Sequence, residues 1–325
     1  MSNLSVTFAG LKLRNPFIIS SSGITGSLDK IMKLDELGAG AVVLKSIFEE
    51  QIRYETVKNL AGGDYPEAYD YVKAYTKDDN LVQYLNMIKE ATKAVGIPVI
   101  ASINCITASE WLDFAVQIEA AGADALELNV FFLPSNRDKS AQYYEKIYFD
   151  LVTEIKERIS IPVIIKLGSH FTNLSYIVNE IYNRKADAVT LFNRFYEPDI
   201  DINDLAIVSS EIFSSPSDLR HSLRWVGLIS SAVNNIDIAA STGIHSGEAA
   251  IKHLLAGAKA VQVCSVLYKQ GIEVLPKLID RLDSWMIQHD YKTIEEFRGK
   301  LNYSNIPDPS AYERVQFMKY FSSHI

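Results

Sequence analysis

Two lysines stand where short apolar runs end. Lys45 follows Val42–Leu44, and Lys166 follows Val163–Ile165. An ammonium group at the end of a buried strand needs a partner that offsets its loss of hydration. Three kinds of partner fit these positions: an anionic or electron-rich cofactor that both lysines face, a buried carboxylate such as Glu127, or a carbonyl substrate that forms a Schiff base with one lysine.

Two turns near the C-terminal end of the chain have the composition of a phosphate site. The apolar run Ile236–Ala240 breaks at Ser241-Thr242-Gly243, before a helix that Ser246 would cap, and Ala260–Cys264 runs into Ser265. Glycine allows close backbone approach, and the start of a helix offers unpaired N–H groups. The pattern therefore predicts a phosphorylated ligand. An ordinary strand–helix–strand unit without a ligand is the alternative.

Polar residues close most of the predicted strands, and polar side chains at the ends of apolar strands favour a ligand or one another. Asn129 could bind an amide edge of a cofactor, and Glu127, two residues earlier on the same face, would balance a lysine. Cys105 and Cys264 are expected to be buried small side chains, and the spacing of the histidines predicts no metal site. The polar strand-end residues are Ser20, Ser21, Ser22, Gly23, Lys45, Ser46, Asn104, Asn129, Lys166, Asn193, Ser241, Thr242 and Ser265.

Short apolar runs alternate with amphipathic stretches along the whole chain. This alternation predicts parallel strands joined by helices, and eight such units predict a (β/α)₈ TIM barrel that forms one domain over residues 1–325. Two long connections, Ile47–Asn80 and the polar loop Arg194–His221, are expected to extend from the C-terminal face. The predicted strands are Phe17–Ser21, Ala41–Lys45, Val99–Ile103, Ala125–Val130, Val163–Leu167, Ala188–Phe192, Ile236–Ala240 and Ala260–Cys264.

Composition narrows the class of protein. The 325 residues carry a formal net charge of −8, so a general basic field for nucleic acid is excluded. Two cysteines provide no disulfide framework, and no apolar run reaches the roughly 20 residues of a membrane span. We expect a cytoplasmic protein that acts on a small molecule, without nucleic acid or membrane partners.

The same residues resemble the dihydroorotate dehydrogenase family, chiefly its soluble flavin mononucleotide (FMN) class, over nearly the whole length. The resemblance is clearest in the segment that begins at Thr242-Gly243 and includes His253 and the Ala256-Gly257-Ala258 helix end. It also rests on Asn15-Pro16, Ser22-Gly23, Lys45-Ser46, Glu127-Leu128-Asn129, Lys166-Leu167, Asn193 and the tail Tyr291–Leu301.

The resemblance implies an oxidoreductase that binds FMN, acts on dihydroorotate in pyrimidine biosynthesis and forms a homodimer. Lys45 and Lys166 would serve catalysis, with Lys166 neutralising charge on the reduced flavin. Asn129 and Asn193 would bind substrate. The implied FMN-binding residues are Ser22, Gly23, Lys45, Ser46, Asn104, Asn129, Lys166, Thr242, Gly243, Cys264 and Ser265.

The chain departs from the family pattern around the substrate. The family places a catalytic Cys or Ser three residues after the strand-4 asparagine, where this chain has Phe132, and a substrate-binding asparagine two residues later, where it has Pro134. Thr242 replaces a glycine of the phosphate turn, and residues 70–75 lack the family's Asn-Ser-Met-Gly-Leu run. Ser135 is the candidate base, with Cys105 as a second choice.

Two other functions are compatible with these residues. A barrel aldolase or lyase would use Lys166 as a Schiff-base nucleophile, and borohydride trapping with a carbonyl substrate would reveal it. A flavin-binding barrel without dihydroorotate activity would explain Phe132 and Pro134 directly.

Overall fold

Eight parallel strands close into a barrel in the computed structural model, which describes residues 2–48, 81–104, 108–130, 132–195 and 197–314. Each strand pairs with the next, and the last pairs with the first, so the predicted TIM barrel is confirmed. The strands are β1 Phe17–Ile19, β2 Ala41–Val43, β3 Val99–Asn104, β4 Ala125–Asn129, β5 Val163–Leu167, β6 Ala188–Leu191, β7 Asp237–Ser241 and β8 Ala260–Val263.

Helices surround the barrel and cover the outer faces of the strands. Their caps follow from the sequence: the side chains of Ser140, Asn173 and Ser246 each accept a backbone N–H at a helix start. None of the helices among the described residues is long and apolar enough to cross a membrane. The helices are Leu28–Glu36, 81–94, Ala108–Ala120, Ala141–Lys156, Leu174–Asn183, Leu219–Ala232, Gly247–Ala256, Ser265–Gln270, Leu275–Gln288 and Ser310–Glu313.

The predicted strands agree with the observed strands to within about two residues. Pro98 and Pro162 each stand directly before a strand, where a missing N–H removes no ladder bond. Most residues of the eight strands are fully buried, because helices cover the outside and strand side chains fill the inside.

The polar connection Arg194–His221 has regular structure that was not predicted from the sequence. It contains an antiparallel hairpin, Pro198–Asp201 paired with Ala206–Ser209, and the first residues of helix Leu219–Ala232. We call residues 198–209 the rim hairpin. Apolar Ile200 alternates with polar neighbours in the first strand, as is typical of strands. The aspartates of this segment made it look like a polar loop in the sequence. Most of the other long connection, 49–80, lies outside the described residues.

Gly40, directly before β2, allows a test of this packing. A β-carbon at Gly40 would lie 2.2 Å from the Asn15 carbonyl oxygen, whereas one at Gly96, shortly before β3, would meet nothing closer than 4.0 Å. We expect Gly40→Ala to lower the free energy of unfolding by about 2 kcal/mol or more through overpacking. Gly96→Ala is the matched control and should change it by less than about 0.5 kcal/mol. Equal effects in urea unfolding would contradict the close approach of β2 to Asn15.

Candidate active site

A buried ion pair lies at the carboxyl end of the barrel. Lys166 is on β5 and Glu127 is on β4, and their side chains are 6% and 0% exposed. The Lys166 Nζ atom lies 3.5 Å from Glu127 Oε1. That oxygen accepts no hydrogen bond from the described residues, so the lysine charge is what stabilises it. The pair confirms the expectation that Glu127 balances a lysine inside the barrel.

Neutral side chains from three further strands complete the network around this pair. Lys166 donates to Ser20 Oγ at 3.1 Å and to Gln262 Oε1 at 3.2 Å. The Gln262 amide donates to Glu127 Oε2, and Thr190 donates to the same oxygen at 3.2 Å. Two of the three ammonium hydrogens are thereby used within the barrel. The third remains directed at Glu127 or at the open cavity that Lys166 also lines.

The mouth cavity is a space of about 410 Å³ above this network. Its volume falls within the range of small-molecule sites, roughly 300–1,000 Å³. Lys166 lies at its floor, and the turns after β7 and β8 form its wall. The predicted residues that line it are Ser22, Lys166, Asn193, Thr242, Gly243, Cys264 and Ser265.

The turn after β7 adopts a left-handed conformation at two successive residues. Thr242 has φ +74° and Gly243 has φ +80°. This conformation disfavours a β-branched residue, and the Thr242 hydroxyl compensates by donating to the Phe192 carbonyl at 3.1 Å. A β-carbon at Gly243 would lie 2.1 Å from the Leu219 backbone nitrogen. Glycine is therefore required here by the chain itself, and the contact of this turn with a phosphate stays a prediction.

Ser214 joins the two turns across the cavity. Its backbone N–H donates to Ser265 Oγ at 3.0 Å, and its hydroxyl lies 3.0 Å from His245 Nε2 and 3.4 Å from the Gly243 backbone nitrogen, which donates to it. Burial, and then the charge of Lys269, lower the pKa of His245. The turn is thus bordered by hydrogen-bonding groups and by the Lys269 ammonium, which donates to the Ser214 carbonyl at 3.1 Å, and such surroundings can face an anion.

Cys264 lies at the start of helix Ser265–Gln270. Burial raises the pKa of its thiol. A protonated thiol is a poor nucleophile and a poor metal ligand, so Cys264 acts as part of the cavity wall. It is partly exposed there, whereas the sequence predicted a buried residue.

The side chains of Asn129 and Asn193, which were both predicted to bind substrate, contact each other. The Asn193 side-chain amide donates to Asn129 Oδ1 at 2.7 Å, which fixes the two amides at the ends of β4 and β6. On the opposite side of the mouth, the Ser46 hydroxyl lies 2.9 Å from Ser21 Oγ and 2.7 Å from Ser102 Oγ. Ser46 therefore holds the β2 end against β1 and β3.

Other predicted residues lie away from the mouth cavity. Lys45 is exposed, because β2 ends at Val43 and the chain has already left the barrel, so the expectation of two buried lysines was wrong for Lys45. Ser135 is exposed, and neither it, Gly23 nor Asn104 lines the cavity. Cys105 lies outside the described residues.

Three residues of the site were not identified from the sequence. Gln262 is a polar residue in the apolar run Val261–Val263, which is the same signal that identified Lys166. Arg194 and Ser214 lie on either side of the rim hairpin, and neither lies in a predicted strand. Arg194 lines the cavity while its guanidinium pairs with Asp218 at 3.0 Å, a contact that spacing along the chain does not reveal.

Removing one charge of the buried Glu127–Lys166 pair should lower the free energy of unfolding more than removing one charge of a surface pair. We expect Glu127→Gln to lower the free energy of unfolding of the flavin-free protein by about 3 kcal/mol, since it leaves the Lys166 charge buried without its counter-ion. The control Glu36→Gln removes an exposed ion pair with Lys33 and should change the free energy of unfolding by less than about 1 kcal/mol.

The double variant Glu127→Gln/Lys166→Met should lose less stability than the sum of the two single variants, because neither charge is then left alone. Additive losses in urea unfolding would show that the two side chains do not form a coupled pair.

The comparisons with known proteins agree with this geometry. The family model for dihydroorotate dehydrogenase matches residues 72–286. The catalytic subunit of dihydroorotate dehydrogenase B (NAD(+)) from Thermoplasma volcanium is 31% identical over 92% of this chain and 98% of its own length. The corresponding subunit from Thermoplasma acidophilum is 27% identical over 92% and 99%. A putative dihydroorotate dehydrogenase A (fumarate) from Aeropyrum pernix is 26% identical over 91% and 96%.

The match exceeds half of the chain, and it includes β3 to β8 with Glu127, Lys166 and the two turns. This chain therefore belongs to the dihydroorotate dehydrogenase family, whose members are FMN-dependent oxidoreductases that act on CH–CH groups.

Proposed function

We propose that this chain holds FMN in the mouth cavity and oxidises dihydroorotate to orotate, a step of pyrimidine biosynthesis. The observation that carries the proposal is that Lys166 and both predicted phosphate turns line one cavity. The names of the curated relatives support the choice of substrate.

The lining of the cavity fits FMN at both of its ends. The turns Thr242-Gly243 and Cys264-Ser265 line the wall where a phosphate would lie, and the Ser265 hydroxyl, which accepts the Ser214 N–H, is left to donate to it. Lys166 supplies a positive charge at the floor, where an electron-rich ring system would lie. When bound, FMN supplies hydride acceptance, and the protein supplies orientation and electrostatics.

The remaining proposed contacts surround the ring and the substrate. Ser22 and Gly23 would border the ring with their backbone, and Ser46 and Asn104 would support it from the adjoining strand ends. Asn129 and Asn193 already form a rigid amide pair, which presents hydrogen-bonding groups suited to the imide and amide edges of a pyrimidine. Exposed Lys45 is free to approach the substrate region from the end of β2.

Ser135 is the proposed proton acceptor. It lies on the exposed segment after β4, three residues beyond Phe132, which stands at the family's base position. Phenylalanine cannot take a proton. A serine on the same segment can reach the mouth if that segment folds inward over a bound substrate.

We also propose a cytoplasmic homodimer. The rim hairpin carries large apolar side chains that are unusually exposed, including Leu205 at 87%, Ile202 at 79% and Ile207 at 69%. Exposed apolar patches of this kind mark interaction surfaces. A second copy of the chain is the partner that the family resemblance implies.

Anaerobic mixing with dihydroorotate tests the substrate. We expect the absorption band of oxidised flavin to bleach within a turnover, and Ser135→Ala to slow this bleaching by about 100-fold through loss of the base. Ser210→Ala, on the loop after the rim hairpin, is the control and should behave as the parent protein. A flavin band that persists with dihydroorotate would mean another substrate or no dehydrogenase activity. Unchanged kinetics in Ser135→Ala would remove Ser135 from the mechanism.

A further inference from the structure

A second cavity, which we call the rim pocket, lies beside the mouth cavity and shares no lining residue with it. Its volume is about 150 Å³. Four segments form it: the chain after β4 with Phe132, helix Ala141–Lys156 with Tyr144 and Tyr148, and the chains after β5 and β6 with Phe171 and Phe195. The proposed flavin chemistry uses none of these side chains.

The walls of the rim pocket are aromatic and held in place. The Tyr148 ring contacts Phe132 at 6.2 Å and Phe171 at 5.3 Å between centroids, both edge to face. The Tyr148 hydroxyl donates to the Val130 carbonyl at 3.2 Å, which fixes this ring at the centre of the cluster. A β-carbon at Gly168 would lie 2.9 Å from Phe195, so the glycine is what lets that ring pack against the end of β5.

One acidic side chain stands among these rings. Glu145 is partly buried in the wall of the rim pocket. It forms no hydrogen bond or ion pair with the residues that the structure describes. None of the described lining residues is a lysine or an arginine, and the basic side chain that does line the pocket, His170, packs against the Phe195 ring at 4.0 Å between centroids. A carboxylate that has lost part of its hydration without gaining a partner favours a cation.

We propose that the rim pocket binds the ammonium group of a small organic cation. The faces of aromatic rings attract a cation through their quadrupole, and Glu145 adds a full negative charge on the same wall. A metal ion would require several oxygen ligands, and the pocket presents one carboxylate. A neutral apolar group would fill the space but leave the carboxylate uncompensated.

The rim pocket contains the two residues after β4 that depart from the family pattern. Phe132 and Pro134 occupy the positions where the family pattern has a base and an asparagine, and both line this pocket. The two replacements therefore place an aromatic ring and a proline where the family pattern has polar side chains. This inference concerns a binding site separate from the flavin site and does not depend on the proposed substrate.

A pair of ligands of equal shape tests the inference. Choline and 3,3-dimethylbutan-1-ol differ in a quaternary nitrogen against a quaternary carbon, and each is titrated into the FMN-loaded protein by calorimetry. We expect choline to bind about tenfold more tightly. Equal affinities, tighter binding of the alcohol, or no binding of either ligand would overturn the proposal.

Matched variants locate the binding. Glu145→Gln should weaken choline binding about tenfold and leave binding of the alcohol unchanged, whereas Glu154→Gln, at an exposed position of the same helix, should change neither. Phe171→Leu should weaken choline binding as well. Unaltered choline affinity in Glu145→Gln would refute the role of this pocket. The flavin absorption of each variant, read in the same samples, keeps a failure of this proposal separate from a failure of the flavin site.

Discussion

The Glu127–Lys166 ion pair is the constraint on which the rest of the barrel mouth depends. Two opposite charges are almost wholly buried, and each would be strongly destabilising alone. The structure stabilises them with Thr190 on β6, Gln262 on β8 and Ser20, which directly follows β1. Five of the eight strands are therefore held in register by one polar network at their carboxyl ends.

This network also explains why one lysine can be both a structural and a functional residue. The sequence left a cofactor partner and a carboxylate partner for Lys166 as alternatives. The geometry confirms the carboxylate partner and leaves room for the cofactor partner, which stays a prediction. Glu127 offsets the charge from below, while the lysine still lines the cavity above. Schiff-base chemistry needs a free amine, whereas Lys166 Nζ already contacts Ser20, Gln262 and Glu127. The pair instead provides a fixed electrostatic environment for a bound anionic group.

The barrel and the positions of the turns after β7 and β8 could be predicted from the sequence because they follow local rules. Strand–helix alternation fixed the eight strands, and polar residues that interrupt apolar runs identified Lys166 and Asn193. Gln262 also interrupts an apolar run, but it was not predicted to be a site residue. The reason for Gly243 was not accessible, since it lies in a contact with Leu219, which is distant along the chain.

The less predictable parts are those where loops decide the geometry. Lys45 follows an apolar run as Lys166 does, yet β2 ends two residues earlier and leaves the side chain in solvent. The rim hairpin was hidden by its aspartates, and the rim pocket depends on rings from four separate segments. Such long-range contacts between loops have no periodic signature, so sequence patterns locate the barrel better than its rim.

The midpoint potential of protein-bound FMN tests the central claim most directly, because it reports the charge that the mouth presents to the reduced ring. The parent protein should be yellow and take up FMN. Lys166→Met should lower the two-electron potential by about 30 mV or more, since the reduced, electron-rich flavin then loses the nearby positive charge. A colourless protein that binds no FMN, or a potential that is the same with and without Lys166, would contradict the account.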